Sequence, residues 1–311
     1  MDDPLIWVRA LHFAATMMVT GGVLFLIFIA EPALRAAGDT QVAARVRSSL
    51  AWTAWVALAV TVLSGAAWLL LLAQRVSEQS VAEVLSQGTL WTVLTQTDFG
   101  LAWTIRLAIA ALLAVALPLS ARLRVVAITA AAALVGALAW AGHAAAREGA
   151  PGAIHLVSDI LHLVAAAAWF GALIPLALLL FAVRHAATGL PVAREAVRRF
   201  SPLGILSVGT LVVSGAVNTW MLTGSVEALV GTDYGRLLTL KIGLFLVMLS
   251  FGAINRLWLS PRTAGAPPIA AGALWRIERN SLIEVLLGTI IIVIVGLLGT
   301  LPPGLEDLSN N

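Results

Sequence analysis

The chain has 311 residues, 60% of them hydrophobic and only 11% charged, with a mean hydropathy of +0.97. Soluble domains carry about 25% charged residues, so this balance excludes an ordinary soluble domain and points to a polytopic membrane protein embedded in a lipid bilayer. The net charge of +3 sits on arginines between apolar segments and forms no nucleic-acid patch, while the absence of cysteine excludes disulfides and thiolate metal sites.

Eight apolar spans are predicted in chain order, at residues 5–30, 50–74, 99–120, 123–143, 154–183, 200–223, 235–258 and 281–301. They are continuously apolar and do not alternate, so each is a helix that satisfies its own backbone in lipid, and the fold class is an all-α bundle of eight transmembrane helices. The first span lacks a basic leader and a small-residue cleavage site and is expected to remain. Between spans 2 and 3, Val81–Leu85 and Leu90–Leu94 are mildly amphipathic, which reads either as a short helix at the membrane surface or as a loop with a few apolar residues. The stretch 260–273, with Pro261, Pro267 and Pro268, reads as a plain linker. Thirteen arginines fall in the connections 1–2, 3–4, 5–6 and 7–8 and four on the other side, so these connections are expected to be cytoplasmic and both termini outside.

The spans repeat. His12 corresponds to His162, Gly21 to Gly171, and Ser64-Gly65-Ala66 to Ser214-Gly215-Ala216, all at an offset of 150. Thr97-Asp98-Phe99-Gly100 corresponds to Thr232-Asp233-Tyr234-Gly235, and Arg106 to Lys241, at an offset of 135. Five ordered matches with one length change predict two four-helix repeats, 1–150 and 151–311, in the same orientation about an axis along the membrane normal.

Ionisable groups inside a membrane are costly and are read first as functional. His155, Asp159 and His162 lie at i, i+4 and i+7, on one stripe of span 5. His12 lies about 10 Å inside the outer start of span 1 at 1.5 Å per residue, and His162 at a matching depth. A neutral imidazole in lipid needs partners on both nitrogens, and the symmetry of the pair predicts a shared site between the halves. Asp159 fits three roles: ligand, orienter of an imidazole, or counter-ion of a buried cation. His143 and His155 lie at the outer ends of spans 4 and 5, as interfacial residues or ligands. Met221 marks a candidate outer mouth with Asn218 on the path below it, whereas Met17 and Met18 turn away from the face of His12. Arg106 and Lys241 form a second symmetric pair, and Glu284 is expected in a structural pairing with Asn255 and Arg256. Imidazole with carboxylate suits copper, zinc or iron. No nucleotide-binding loop or nucleophile constellation is present, so no catalytic residue is assigned.

Ser158-Asp159-Ile160-Leu161-His162, Trp169-Phe170-Gly171, Arg199-Phe200-Ser201, Ser214-Gly215-Ala216-Val217-Asn218, Gly231 to Leu238 with Lys241, Asn255-Arg256 and Gly299 to Pro303 resemble the copper resistance protein D family of bacterial inner-membrane proteins, best over about 155–303. The resemblance implies copper homeostasis, copper passage across the inner membrane, and a periplasmic copper-binding protein as partner. Each half also looks like the HemJ-type protoporphyrinogen oxidases, through Trp7, His12 and the Asp-aromatic-Gly run followed by a basic residue, with Arg106 in place of that family's lysine. Two readings follow. In the first, a transporter passes copper from His143, His155 and Met221 to a site of His12, His162 and Asp159. In the second, an oxidoreductase holds haem b between His12 and His162, with Arg106 and Lys241 on its propionates.

Overall fold

The computed structural model describes residues 3–37, 40–119, 122–142, 149–184, 186 and 189–303. They are helical throughout, with no strand among them. Eight helices are long and apolar enough to cross a bilayer: Pro4–Arg35, Gln41–Ser77, Asp98–Ala116, Arg124–Ala141, Gly149–Val183, Gly189–Thr223, Asp233–Arg262 and Pro267–Leu298. The helices they comprise are α1 (Pro4–Phe25) and α2 (Glu31–Ala37) joined by a π turn, α3 (Thr40–Ser77), α4 (Val81–Ser86), α5 (Thr89–Gln96), α6 (Asp98–Ala116), α7 (Arg124–Gly136), α8 (Gly149–Val183), α9 (Gly189–Thr223), α10 (Val226–Gly231), α11 (Asp233–Ile254), α12 (Ser260–Arg262) and α13 (Pro267–Leu298).

Local sequence explains the breaks. Asp3 caps α1, its carboxylate accepting from Leu5 N at 2.9 Å, with Pro4 in the first turn. The π turns Leu26–Ala30 and Asn255–Leu259 each stop just before an X-Pro step, Glu31-Pro32 and Ser260-Pro261. The missing proline N–H cannot bond four residues back, and the widened turn absorbs the break. Thr97 and Thr232 cap α6 and α11 identically, each hydroxyl accepting at 3.0 Å from the glycine three residues on. Those glycines let the helices sit directly on α5 and α10. A Cβ on Gly100 would lie 2.1 Å from the Val93 carbonyl, and one on Gly235 would lie 2.3 Å from that of Ala228.

Three expectations are corrected. Spans 2, 6 and 8 begin at 41, 189 and 267, well before the predicted 50, 200 and 281. Their arginine-bearing first turns keep one apolar face. Val42, Val46 and Leu50 pack with Val192, Ala196, Val197 and Leu34 in a cluster at the arginine-rich end. At 1.5 Å per residue the 37-residue helix Gln41–Ser77 spans about 55 Å, far beyond a ~30 Å hydrocarbon core. Next, the stretch 260–273 is no plain linker, because α12 and the start of α13 occupy most of it. Finally, the surface helix between spans 2 and 3 is two helices, α4 and α5, broken at Gly88 with φ +76°.

α1 and α8 are the inner helices, and they meet through glycine. A Cβ on Gly21 would lie 2.2 Å from the Gly171 carbonyl carbon, and one on Gly171 would lie 2.0 Å from the Met17 carbonyl oxygen. Only a hydrogen fits on either side of that crossing. At its far end α13 returns to α1, where the Arg9 guanidinium donates to the Gly299 carbonyl at 2.8 Å and closes the helix C-terminus.

Candidate functional site

His12 lies on α1 and is 1% exposed. Its Nδ1 is 3.0 Å from Ser64 Oγ on α3. The Ser64 hydroxyl proton is already given to the Val60 carbonyl at 2.6 Å, so Nδ1–H is the donor and Nε2 the bare acceptor. Arg106 of α6 fills that acceptor, with Nη2 at 2.5 Å from Nε2. Trp68 and Trp103 wall the ring at centroid distances of 5.6 and 5.2 Å, and Arg106 lies over Trp103 at 4.9 Å. Arg9 covers Trp68 at 5.0 Å. Every partner of this imidazole comes from the first half, and the space left beside it is about 10 Å³.

His162 repeats the first half of that arrangement. Its Nδ1 is 3.0 Å from Ser214 Oγ on α9, and Ser214 donates to the Thr210 carbonyl, the counterpart of Val60. Gly215, like Gly65, makes room for the ring, with a Cβ there lying 3.4 Å from Cε1. Beyond this the two sites diverge. The position of Arg9 is taken by Asp159, that of Trp68 by Asn218, that of Trp103 by Leu238, and that of Arg106 by Lys241. Asn218 donates to Asp159 Oδ1 at 3.2 Å, while the Asn218 carbonyl oxygen is buried with no hydrogen-bond partner among the described residues. Lys241 acts electrostatically on both Asp159 and His162, yet no ion pair of 4.0 Å or less joins it to the carboxylate. Among the described residues no hydrogen bond reaches His162 Nε2. The second site is thus polar, half-buried and incompletely bonded where the first is closed by indoles and a guanidinium.

The expected shared site of His12 with His162 is not formed: each imidazole turns into its own half, and α1 and α8 approach at Gly21 and Gly171, away from both rings. Nor do His155, Asp159 and His162 converge on a point, and no group of three or more His, Asp or Glu among the described residues is placed to hold one ion. Seven residues of helix separate His155 from His162 by about 10 Å, so the stripe is a sequence of positions and not a chelate. His155 is buried one turn nearer the N-terminus of α8 than Asp159, and Met221 is half-buried at the adjacent end of α9. His143 lies outside the described residues. The haem arrangement does not fit, since both His12 nitrogens are engaged and about 10 Å³ cannot accept a macrocycle. Sequence reading paired the histidines but overlooked Ser64 and Ser214 as their partners. The constant spacing of 52 residues from each histidine carried that signal.

Residues 1–153 match a family profile described as Copper resistance protein D-like, N-terminal domain, and residues 194–298 match Copper resistance protein D. The chain is 31% identical over 316 residues to Copper resistance protein D of Pseudomonas syringae pv. tomato, covering 98% of this chain and 99% of that one. The chain belongs to the copper resistance protein D family. Within and around the family, it is 29% identical over 305 residues to Inner membrane protein YebZ of Escherichia coli (strain K12), covering 95% of this chain and 97% of that protein. It is also 38% identical over 122 residues to Copper transport protein CutJ of Bacillus subtilis (strain 168), covering 39% of this chain and 22% of that protein. No solved structure matches. Family membership makes this a membrane protein of copper homeostasis.

Proposed function

We propose that the protein moves copper ions across the bacterial inner membrane, and that the ions pass through the second half alone. The observation that carries this reading is the chemical inequality of two equivalent positions: His12 is sealed by Arg106, Trp68 and Trp103, whereas His162 lies beside Asp159, Asn218 and Lys241. Copper arrives from a periplasmic copper-binding protein at the outer end, where Met221, His155 and His143 supply the first contacts. It then occupies Asp159 and His162 Nε2, an oxygen–nitrogen pair suited to copper.

Lys241 gives this site a cycle. A buried carboxylate needs a compensating positive charge. The ammonium provides it while the site is empty, and the arriving ion replaces it. Repulsion between Lys241 and the bound ion then lowers the cost of onward release toward the arginine-rich side. This route assumes two parallel four-helix repeats with both termini outside. The matched caps at Thr97 and Thr232 support the first assumption, and the excess of arginines at one end supports the second.

The test is copper uptake by the purified protein in proteoliposomes. Asp159→Asn and His162→Ala are expected to abolish uptake, and Asn218→Ala to reduce it about tenfold, as loss of a residue that orients a ligand does. Undiminished uptake in Asp159→Asn and His162→Ala would exclude the second-half route.

A further inference from the structure

Between α8, α9, α11 and α13, at the arginine-rich end of the second half, lies a cavity of about 410 Å³. Its walls are almost wholly apolar, with Trp169, Phe200, Gly204 and Gly252 among them, yet Glu284 and Ser281 of α13 both open into it. Glu284 is 1% exposed. Its Oε1 accepts from Asn255 Nδ2 at 2.8 Å, Asn255 Oδ1 accepts from Asn280 Nδ2 at 2.8 Å, and Asn280 Oδ1 accepts from the exposed Arg279 at 3.2 Å. The π turn that follows α11 begins at Asn255 and aims its amide inward. Ser281, also 1% exposed, has a hydroxyl with no hydrogen-bond partner among the described residues.

The expected pairing of Glu284 with Arg256 is not made. Arg256 lines the same cavity but donates to Ser201 Oγ. Among the described residues no cation lies within 4.0 Å of the Glu284 carboxylate. The surrounding elements offer little else that carries charge: α8 and α9 line the cavity with no titratable side chain, the π turn offers Arg256, and α13 offers Arg279 only through Asn280. A carboxylate buried among apolar walls without a counter-charge costs several kcal/mol. The site is completed by a small cation. With Ser201 bonded to Arg256, the lining offers the Glu284 carboxylate, the Ser260 and Ser281 hydroxyls and the donor side of an amide, and with no histidine or methionine these do not suit copper. They also supply too few oxygens for a metal cation of the sodium or magnesium kind. A proton needs only one.

We propose that Glu284, with Asn255 and Ser281, is a proton-binding site that couples the transmembrane pH gradient to copper movement. The inference rests on the transport reading above. In each cycle a proton adds to a Glu284 oxygen while the cavity is open to one side, and passes to water when it opens to the other. Asn255 holds the other oxygen, and the unpaired Ser281 hydroxyl lines the same cavity as the acid.

The test uses the full chain in proteoliposomes, reading copper uptake and internal pH together. Wild type is expected to take up copper faster under an imposed pH gradient and to move protons as it does so. Glu284→Gln is expected to lose both the acceleration and the proton movement, and a sodium gradient is expected to do nothing. Should Glu284→Gln fail to reach the membrane, Ser281→Ala removes only a hydroxyl and is expected to shift the pH midpoint of uptake. A wild-type pH response in these variants, or replacement of the pH gradient by sodium, overturns the proposal. Infrared difference spectra separate this proposal from the transport reading. A pH-dependent protonated-carboxyl band that disappears in Glu284→Gln supports the proton site even if no copper moves, and its absence refutes it.

Discussion

Arg106 and Lys241 stand 135 residues apart in matching sequence runs, yet their chemistry differs. The guanidinium of Arg106 is a planar fork, and it gives one N–H to His12 while its face rests on Trp103. Its Nε and Nη1 have no hydrogen-bond partner among the described residues, so the imidazole is the polar contact that makes this burial tolerable. His12→Ala is therefore expected to cost about 3 kcal/mol, the upper end for an unsatisfied buried donor, because the group left unpaired is charged. It should leave copper binding per folded molecule unchanged. Thermal unfolding in detergent combined with metal analysis checks both parts, and loss of copper at unchanged stability would place His12 on the path. The sequence marked His12, His162, Asp159, Arg106 and Lys241 because ionisable side chains stand out in apolar helices. It could not say that one ring is sealed and the other open. That depends on Trp68 against Asn218 and Arg9 against Asp159, positions that look unrelated until helices bring them beside an imidazole.

Helices in this protein are placed by what they lack as much as by what they carry. At the crossing of α1 and α8 the backbones touch at Gly21 and Gly171. Gly21→Leu must push the two inner helices apart, and overpacking of that kind costs about 3 kcal/mol. The expected outcome is a lower unfolding temperature together with loss of copper uptake, because both halves pack on this pair; an unchanged unfolding temperature would show that the helices slide freely. The 150-residue offset between Gly21 and Gly171 was visible in the sequence, but the role of the pair as the contact between α1 and α8 was not. The helix starts at 41, 189 and 267 were hidden for a different reason. Hydropathy averages over all faces of a helix, so arginines on one side of α3 and α9 masked the apolar stripe of Val42, Val46, Val192 and Ala196 on the other.

On the scale of the molecule, the number of spans was plain from apolar runs alone, since a bilayer demands continuous hydrophobic length. The orientation proposed from the distribution of arginines has a direct check. The chain has no cysteine, so single cysteines can be introduced without background. A cysteine at Gln79 or Thr95 is expected to react with a membrane-impermeant reagent added outside, and one at the exposed Ala264 only after the membrane is opened; the reverse pattern would invert the proposed topology. The bond from Arg9 to Gly299 has a consequence for how the chain assembles. Helix α1 precedes α13 by about 260 residues in a chain synthesised at ~5–20 residues per second, yet α13 supplies part of the seat for its first turns. The Arg9 guanidinium must therefore do without its Gly299 carbonyl for many seconds, with the face of Trp68 on α3 as its earlier cover.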